Sequence, residues 1–183
     1  MYNLWLGISF AIPFTNNNIN TMLKSILASI ALLASVAFAQ MPSATVKLAD
    51  GSTTNASEKI NDGKPYIVSF WASWCKPCIL ELNTIAENYE DWQEETGVKI
   101  YAVSIDDARN LARAKTISSR QGWEYDMLFD DNQDLKRAMN VNNPPATFLF
   151  NGKGEIVYKH VGYAPGDEEE LYEHLLELVE EDK

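Results

Sequence analysis

Cysteine is scarce in this chain, with two in 183 residues, and histidine is no commoner. Two thiols cannot build the stapled framework of a small secreted domain, and they fall short of the four ligands that a structural zinc site takes. His160 and His174 lie far from them in sequence and in no ligand spacing, so no metal is expected. Positive charge is short as well: 15 Lys and Arg face 26 Asp and Glu, a formal net charge of -11. A chain so acidic lacks the basic face that nucleic acid demands, and no nucleic-acid partner is expected. The apolar run Ile26 to Phe38 is too short to cross a bilayer comfortably. What is present is 46% hydrophobic residues with charges of both signs, the composition of one globular domain that buries a core without staples.

The apolar run belongs to an N-terminal leader. From Met22, MLKSILASIALLASVAFAQ carries one lysine, an apolar centre and small residues at Ala37 and Ala39, the pattern of a secretory signal peptide cleaved after Ala39. An uncleaved N-terminal anchor in the inner membrane is the alternative. Residues 1–21 hold no charge and would make an odd leader start, so Met22 is the expected first residue. Lys24 is the one charged residue ahead of Gln40, and cleavage makes the exported chain more acidic by one charge. Residues 1–39 are therefore extension and signal peptide, and 40–183 are the domain, exported to the periplasm, where disulfides persist.

Periodicity organises the domain. Gln40 to Asp62 is mixed and turn-rich, with a short strand expected at Ala44–Leu48 before the turn dipeptide Asp50-Gly51. Tyr66–Trp71 (YIVSFW) is a β-branched and aromatic run of the kind that makes a buried strand. Cys78, Leu82, Ile85 and Tyr89 then recur at helical spacing, predicting a helix to about Glu95 that Gly97 ends. Val98–Ile105 is a second buried strand and a helix follows to about Arg120, a succession that implies a parallel sheet. Met127–Phe129 is a weak strand, NQDLKRAM a short helix and Ala146–Phe150 a strand. Asn151–Gly154 turns it into an antiparallel hairpin with EIVYKHV. The last helix lines Leu171, Leu175 and Leu178 on one face, and its acids cluster at the end where the helix dipole favours them.

Both cysteines sit in SFWASWCKPCILEL, where the first strand gives way to the helix. A thiol at that junction faces unpaired backbone N–H groups and the positive end of the dipole, which favour its thiolate. That makes Cys75 the nucleophile. Cys78, one turn further, is placed to attack a mixed disulfide at Cys75 and release the product. Pro77 fits the first turn without forfeiting a hydrogen bond, and Lys76 adds a positive charge of small effect in water. A structural staple is the bland alternative, but so short a loop closes little chain entropy.

FWASWCKPC resembles the active-site motif of the thioredoxin superfamily, and the wider pattern resembles its TlpA/ResA-like extracytoplasmic thiol-disulfide oxidoreductases. VSIDD, LFDDNQDLKRAMNV and PPATFLFNGKGEIVYKHVGY carry that resemblance over about residues 60 to 181. It implies an α/β thioredoxin-like fold, a central mixed sheet flanked by helices, with a TlpA-type insertion before a strand led by a cis-proline. It also implies that Cys75 and Cys78 are the attacking and resolving cysteines, and that Pro145 is the cis-proline presenting backbone to an extended client. The common Gly-x-Pro is Asn143-Pro144-Pro145 here, and Pro144 removes one N–H beside the client groove. Glu81, one turn after Cys78, matches the acidic residue of the group and is the candidate for proton transfer at Cys78; a solvated helix Glu is the alternative. Ser69 stands where cytoplasmic thioredoxins bury an Asp. Trp71 reads as core, and Trp74 as exposed client-facing surface.

The expected function is reduction of protein disulfides by the Cys75/Cys78 dithiol, without cofactor. Disulfide-containing proteins are the substrates and a membrane-bound thiol is the electron donor. Trp74, Lys76, Pro77, Pro144 and Pro145 form the substrate surface. Apocytochrome c is one client that the resemblance implies, and no residue selects it. An oxidase or isomerase of client disulfides is the nearest alternative, and a redox-inert binding module a more distant one. A peroxidase of the peroxiredoxin type fits less well, because the two cysteines lie only three apart. Asp106, Asp107, Asp130 and Asp131 are read as loop and capping residues.

Overall fold

Tyr66–Trp71 forms strand β3, buried at all six positions, and the rest of the molecule is arranged around it. The computed structural model describes residues 40–60 and 63–181. The leader expected over 1–39 lies outside the described residues. On one side of β3 runs β4 (Lys99–Ser104), parallel to it, and beyond that β5 (Asp126–Phe129), also parallel. On the other side β6 (Ala146–Phe150) runs antiparallel to β3 and hairpins into β7 (Ile156–Val161). A parallel core with antiparallel flanks is the mixed sheet expected. Parallel strands need both faces covered, and β3 and β4 are apolar apart from Ser69, Lys99 and Ser104.

The N-terminal segment is more ordered than its composition suggests. Thr45–Lys47 (β1) and Thr53–Asn55 (β2) form a hairpin around Asp50-Gly51, and β1 joins the sheet antiparallel to β5 through Lys47 and Phe129. The sheet order is β2-β1-β5-β4-β3-β6-β7. A single-turn helix, α1 (Ala56–Lys59), follows, capped by the Asn55 side chain. Such short pieces lack the length that periodicity needs to register.

The helix expected to reach Glu95 divides in two, α2 (Lys76–Ala86) and α3 (Tyr89–Thr96). Asn88 leaves helical geometry at φ -119° and ψ 3°, and its N–H bonds Ile85 O in a tight turn instead of the carbonyl four back. Its carboxamide donates to Thr84 O, an instance of Asn competing with the helix for backbone groups. Gly97 closes α3 in the left-handed region at φ 70°, where a side chain would be strained. After β4 come α4 (Leu111–Gln121), β5 and α5 (Asp134–Ala138), and α6 (Asp167–Glu181) ends the chain with Leu171, Leu175 and Leu178 buried. Helices α2, α3 and α6 pack on one another.

Aromatic pairs fill the sheet interfaces. Tyr66 stacks on its register partner Phe150 with centroids 4.6 Å apart, and Phe70 meets Phe148 edge-on at 5.9 Å. Each such pair contributes about 1 kcal/mol beyond its buried area. Trp71 crosses Trp123 at 90°, and the Trp123 indole N–H donates to Asn83 Oδ1 while the Tyr125 hydroxyl donates to Leu82 O. The segment entering β5 thereby holds α2 in place above the sheet, which fixes what α2 carries.

Candidate redox site

Cys75 is the N-cap of α2, with extended backbone at φ -91° and ψ 96°. Its Sγ accepts from the Cys78 N–H at 3.3 Å, taking the place an Asp or Ser oxygen fills in an ordinary cap. No acid occupies the first turn of α2, so nothing there opposes the dipole at the sulfur. Pro77 lies in that turn, and Lys76 and Pro77 are exposed. The sulfurs are joined as a Cys75–Cys78 disulfide with Cα atoms 5.4 Å apart. Cys78 is fully buried and Cys75 retains 4% exposure, so an incoming thiol finds the N-terminal sulfur. Trp74, beside it, is 58% exposed, whereas Trp71 is buried.

The Pro144–Pro145 peptide is cis. The pairing of Phe70 with Ala146 puts Pro145 at the end of the sheet from which the Cys75 loop departs. Pro145 is buried, and its carbonyl accepts from the Gly162 N–H at 2.9 Å, which ties the start of β6 to the end of β7. Val161, next to Gly162, is exposed. Pro144 is half-buried and has no N–H to offer.

Glu81 is 1% exposed, which removes the solvated-helix alternative. Spacing of three on a helix puts it on the face that carries Cys78. Its Oε1 accepts from the Thr147 hydroxyl at 2.6 Å and lies 3.0 Å from His160 Nε2. Its Oε2 is buried, with no hydrogen-bond partner among the described residues, and so is His160 Nδ1. Ser69, Thr147 and His160 are register partners on β3, β6 and β7, a polar row across three strands that ends under Glu81. The hydroxyls of Thr147 and Ser69 are 3.1 Å apart. Thr147 and His160 escaped the sequence reading. The one available signal was the hairpin at Asn151–Gly154, which sets them opposite each other.

A second carboxylate stands on the other side of the cysteine loop. Asp106, read from sequence as an ordinary loop residue, is 1% exposed and accepts from the Ser73 N–H at 2.7 Å, the Ser73 hydroxyl at 2.6 Å and the Ser104 hydroxyl at 2.9 Å. It clamps the residue two before Cys75. The other three acids keep local tasks: Asp130 caps α5 through the Leu135 and Lys136 N–H groups, Asp131 pairs with Lys47 at 2.6 Å, and Asp107 with Arg109 at 2.8 Å. Burial holds Asp130 above the ordinary carboxylate range.

A mixed sheet with a redox-capable cysteine pair capping the helix after its central strand, and a cis-proline at the same end of the sheet, defines a thioredoxin-like protein. The chain belongs to the AhpC/TSA family, whose pattern it matches over residues 38–159. It is similar to the thiol-disulfide oxidoreductase ResA of Halalkalibacterium halodurans, 29% identical over 64% of each chain. The alignment thus spans less than two thirds of that curated relative's length. Among solved structures it resembles an uncharacterized thioredoxin-like protein from Porphyromonas gingivalis (48% identity, TM-score 0.72, covering 80% of this chain and 95% of that one). It also resembles a putative thiol:disulfide interchange protein DsbE from Chlorobium tepidum (25% identity, TM-score 0.66, covering 78% and 96%).

Proposed function

We propose that the protein is an exported thiol-disulfide oxidoreductase that reduces disulfides of client proteins. The observation carrying this reading is the placement of Cys75: a sulfur standing as the N-cap of α2, with the resolving sulfur buried one turn behind it. Unpaired N–H groups and the helix dipole stabilise a thiolate there. In the forward direction the Cys75 thiolate attacks one client sulfur, and the client's other sulfur leaves as a thiolate. Glu81 takes the proton of Cys78. The Cys78 thiolate then attacks Cys75 Sγ, the Cys75–Cys78 bond forms as the bond from Cys75 to the client breaks, and the two client thiolates become thiols by taking up the proton held on Glu81 and one from solvent. Exposed Trp74, Lys76 and Pro77, with half-buried Pro144, form the surface on which an extended client lies; Pro145 is buried beneath it, its carbonyl already engaged by the Gly162 N–H. The names of the similar proteins, oxidoreductase and interchange protein, support the same chemistry.

Turnover in this direction consumes electrons; export by the signal peptide expected over Met22–Ala39 supports a membrane-bound thiol as their donor. Among the described residues no helix is long and apolar enough to cross a membrane. The test is the reduction potential of the Cys75/Cys78 pair, equilibrated against dithiothreitol and glutathione buffers. A value at or below about -250 mV supports a reductase. A value near about -120 mV makes the protein an oxidant of client thiols and reverses the electron flow. Failure of the reduced protein to reduce insulin, with unreactive thiols, favours a redox-inert binding module.

A further inference from the structure

The reading of Glu81 as the proton acceptor for Cys78 leaves open which oxygen takes the proton and what holds the carboxylate ready. We infer that His160 is a positioning residue for Glu81: with Thr147 it fills Oε1, so that Oε2 alone faces the proton of Cys78. The inference rests on the proposed role of Glu81 and deepens it.

Glu81 is buried and arrives from α2, while both of its partners arrive from the sheet, Thr147 on β6 and His160 on β7. Both converge on one oxygen, at 2.6 and 3.0 Å, and the second oxygen is left bare in a closed setting. An ionised carboxylate oxygen only accepts, so opposite it His160 Nε2 carries a proton, while Nδ1 is buried with no partner among the described residues. Donors aimed at a charged carboxylate favour its ionised form. A buried Glu deprived of such donors takes up a proton and ceases to be a base. The His160 side chain is 14% exposed, so its ring is held between Glu81 and the protein edge rather than in bulk water.

The groups facing this pair from the packed elements are few. Cys78 lies one turn earlier on α2. Tyr125, ahead of β5, and Tyr163, after β7, both feel the Glu81 charge, and burial first, then neighbouring charges, hold their phenols above the ordinary range. They stay neutral across the pH range of the thiol steps. Tyr158 touches the His160 ring with centroids 5.9 Å apart, and burial raises it also.

Ellman's disulfide separates the two thiol steps. The Cys75 thiolate attacks it, forms a mixed disulfide and releases one thionitrobenzoate. The Cys78 thiol passes its proton to Glu81, its thiolate attacks Cys75 Sγ, and a second thionitrobenzoate leaves as the intramolecular disulfide forms. The proton on Glu81 then returns to solvent. The second release, followed by stopped flow from pH 4 to 9, reports Cys78 deprotonation alone.

Glu81→Gln is expected to slow the second phase about a hundredfold and erase its acid-side inflection. His160→Phe removes a donor from the carboxylate and is expected to move that inflection to higher pH. His160→Gln, which restores an N–H where Nε2 stood, returns the inflection toward the wild-type position. The nitrogen chemical shifts of His160 in the wild-type protein show the Nε2-protonated form. If Glu81→Gln moves the profile and His160→Phe does not, the role of His160 is overturned and that of Glu81 stands. An unchanged profile in Glu81→Gln overturns both. A loss of rate in His160→Phe equal at every pH, unrescued by His160→Gln, reduces His160 to packing.

Discussion

Asp106 and Glu81 are both buried carboxylates, each 1% exposed and each within a few residues' reach of the cysteine loop, yet the fold satisfies them differently. Asp106 has a donor on each oxygen, the Ser73 hydroxyl on Oδ1 and the Ser73 N–H with the Ser104 hydroxyl on Oδ2. Glu81 has two donors on Oε1 and none on Oε2. A buried charge with both oxygens engaged is a fastening, and any change to it is a loss. A buried charge with one oxygen left open carries a cost that packing alone would have removed, and an open acceptor one helical turn from Cys78 suits a proton carrier. The same residue chemistry thus serves as structure on one side of Cys75 and, on the proposed reading, as chemistry on the other.

The sharpest way to break this comparison is to delete the fastening. Asp106→Ala leaves three buried donors without their acceptor, and the expected loss of stability is on the order of 3 to 5 kcal/mol, measured by urea unfolding of the oxidised protein. The loop from Ser73 to Cys75 loses its anchor, so the first thionitrobenzoate release slows as well. A loss below about 1 kcal/mol would show that water or a neighbouring group replaces the carboxylate, and that Asp106 is no fastening.

Matched amides sharpen the contrast. Asp106→Asn keeps a carbonyl oxygen for the Ser73 N–H and the Ser104 hydroxyl but turns its NH2 to the Ser73 hydroxyl, which must accept instead of donate; with the charge also lost, about 1 to 2 kcal/mol of stability goes. Glu81→Gln keeps an oxygen for Thr147 and His160 and removes a buried charge, so stability changes by less than about 1 kcal/mol in urea while the second thiol step carries the damage. Equal stability losses in the two amides would erase the distinction.

How much of this was legible in the sequence follows from the range of the contacts. Cys75, Cys78 and Glu81 are three apart on one helix, and local spacing brings them together before any tertiary structure exists. The strands around Trp71 and Phe148 were legible because each is a short, mostly apolar run with one hydroxyl residue, Ser69 or Thr147. Thr147 and His160 reach Glu81 across 66 and 79 residues, by strand register, and Asp106 reaches Ser73 across 33. No window of sequence contains those pairs. The break at Asn88 was missed for the opposite reason: apolar spacing from Cys78 through Tyr89 stays helical across it, and a single side chain decides against the pattern.

The smallest effect discriminates between the two residues that donate to Asp106. Ser104, at the end of β4, donates its hydroxyl to Oδ2 at 2.9 Å and accepts the Asp106 N–H at 3.2 Å, but it makes no bond to the cysteine loop. Ser104→Ala leaves both bonds from Ser73 intact, so about 1 kcal/mol of stability is lost and the first thionitrobenzoate release is unchanged. Ser73→Ala removes the hydroxyl that binds Oδ1, costs a similar amount, and also slows that release, because Ser73 is two residues from the attacking sulfur. If Ser104→Ala slows the release as much as Ser73→Ala does, Asp106 acts by ordering the end of β4 rather than by holding the loop, and the clamp must be assigned to the strand.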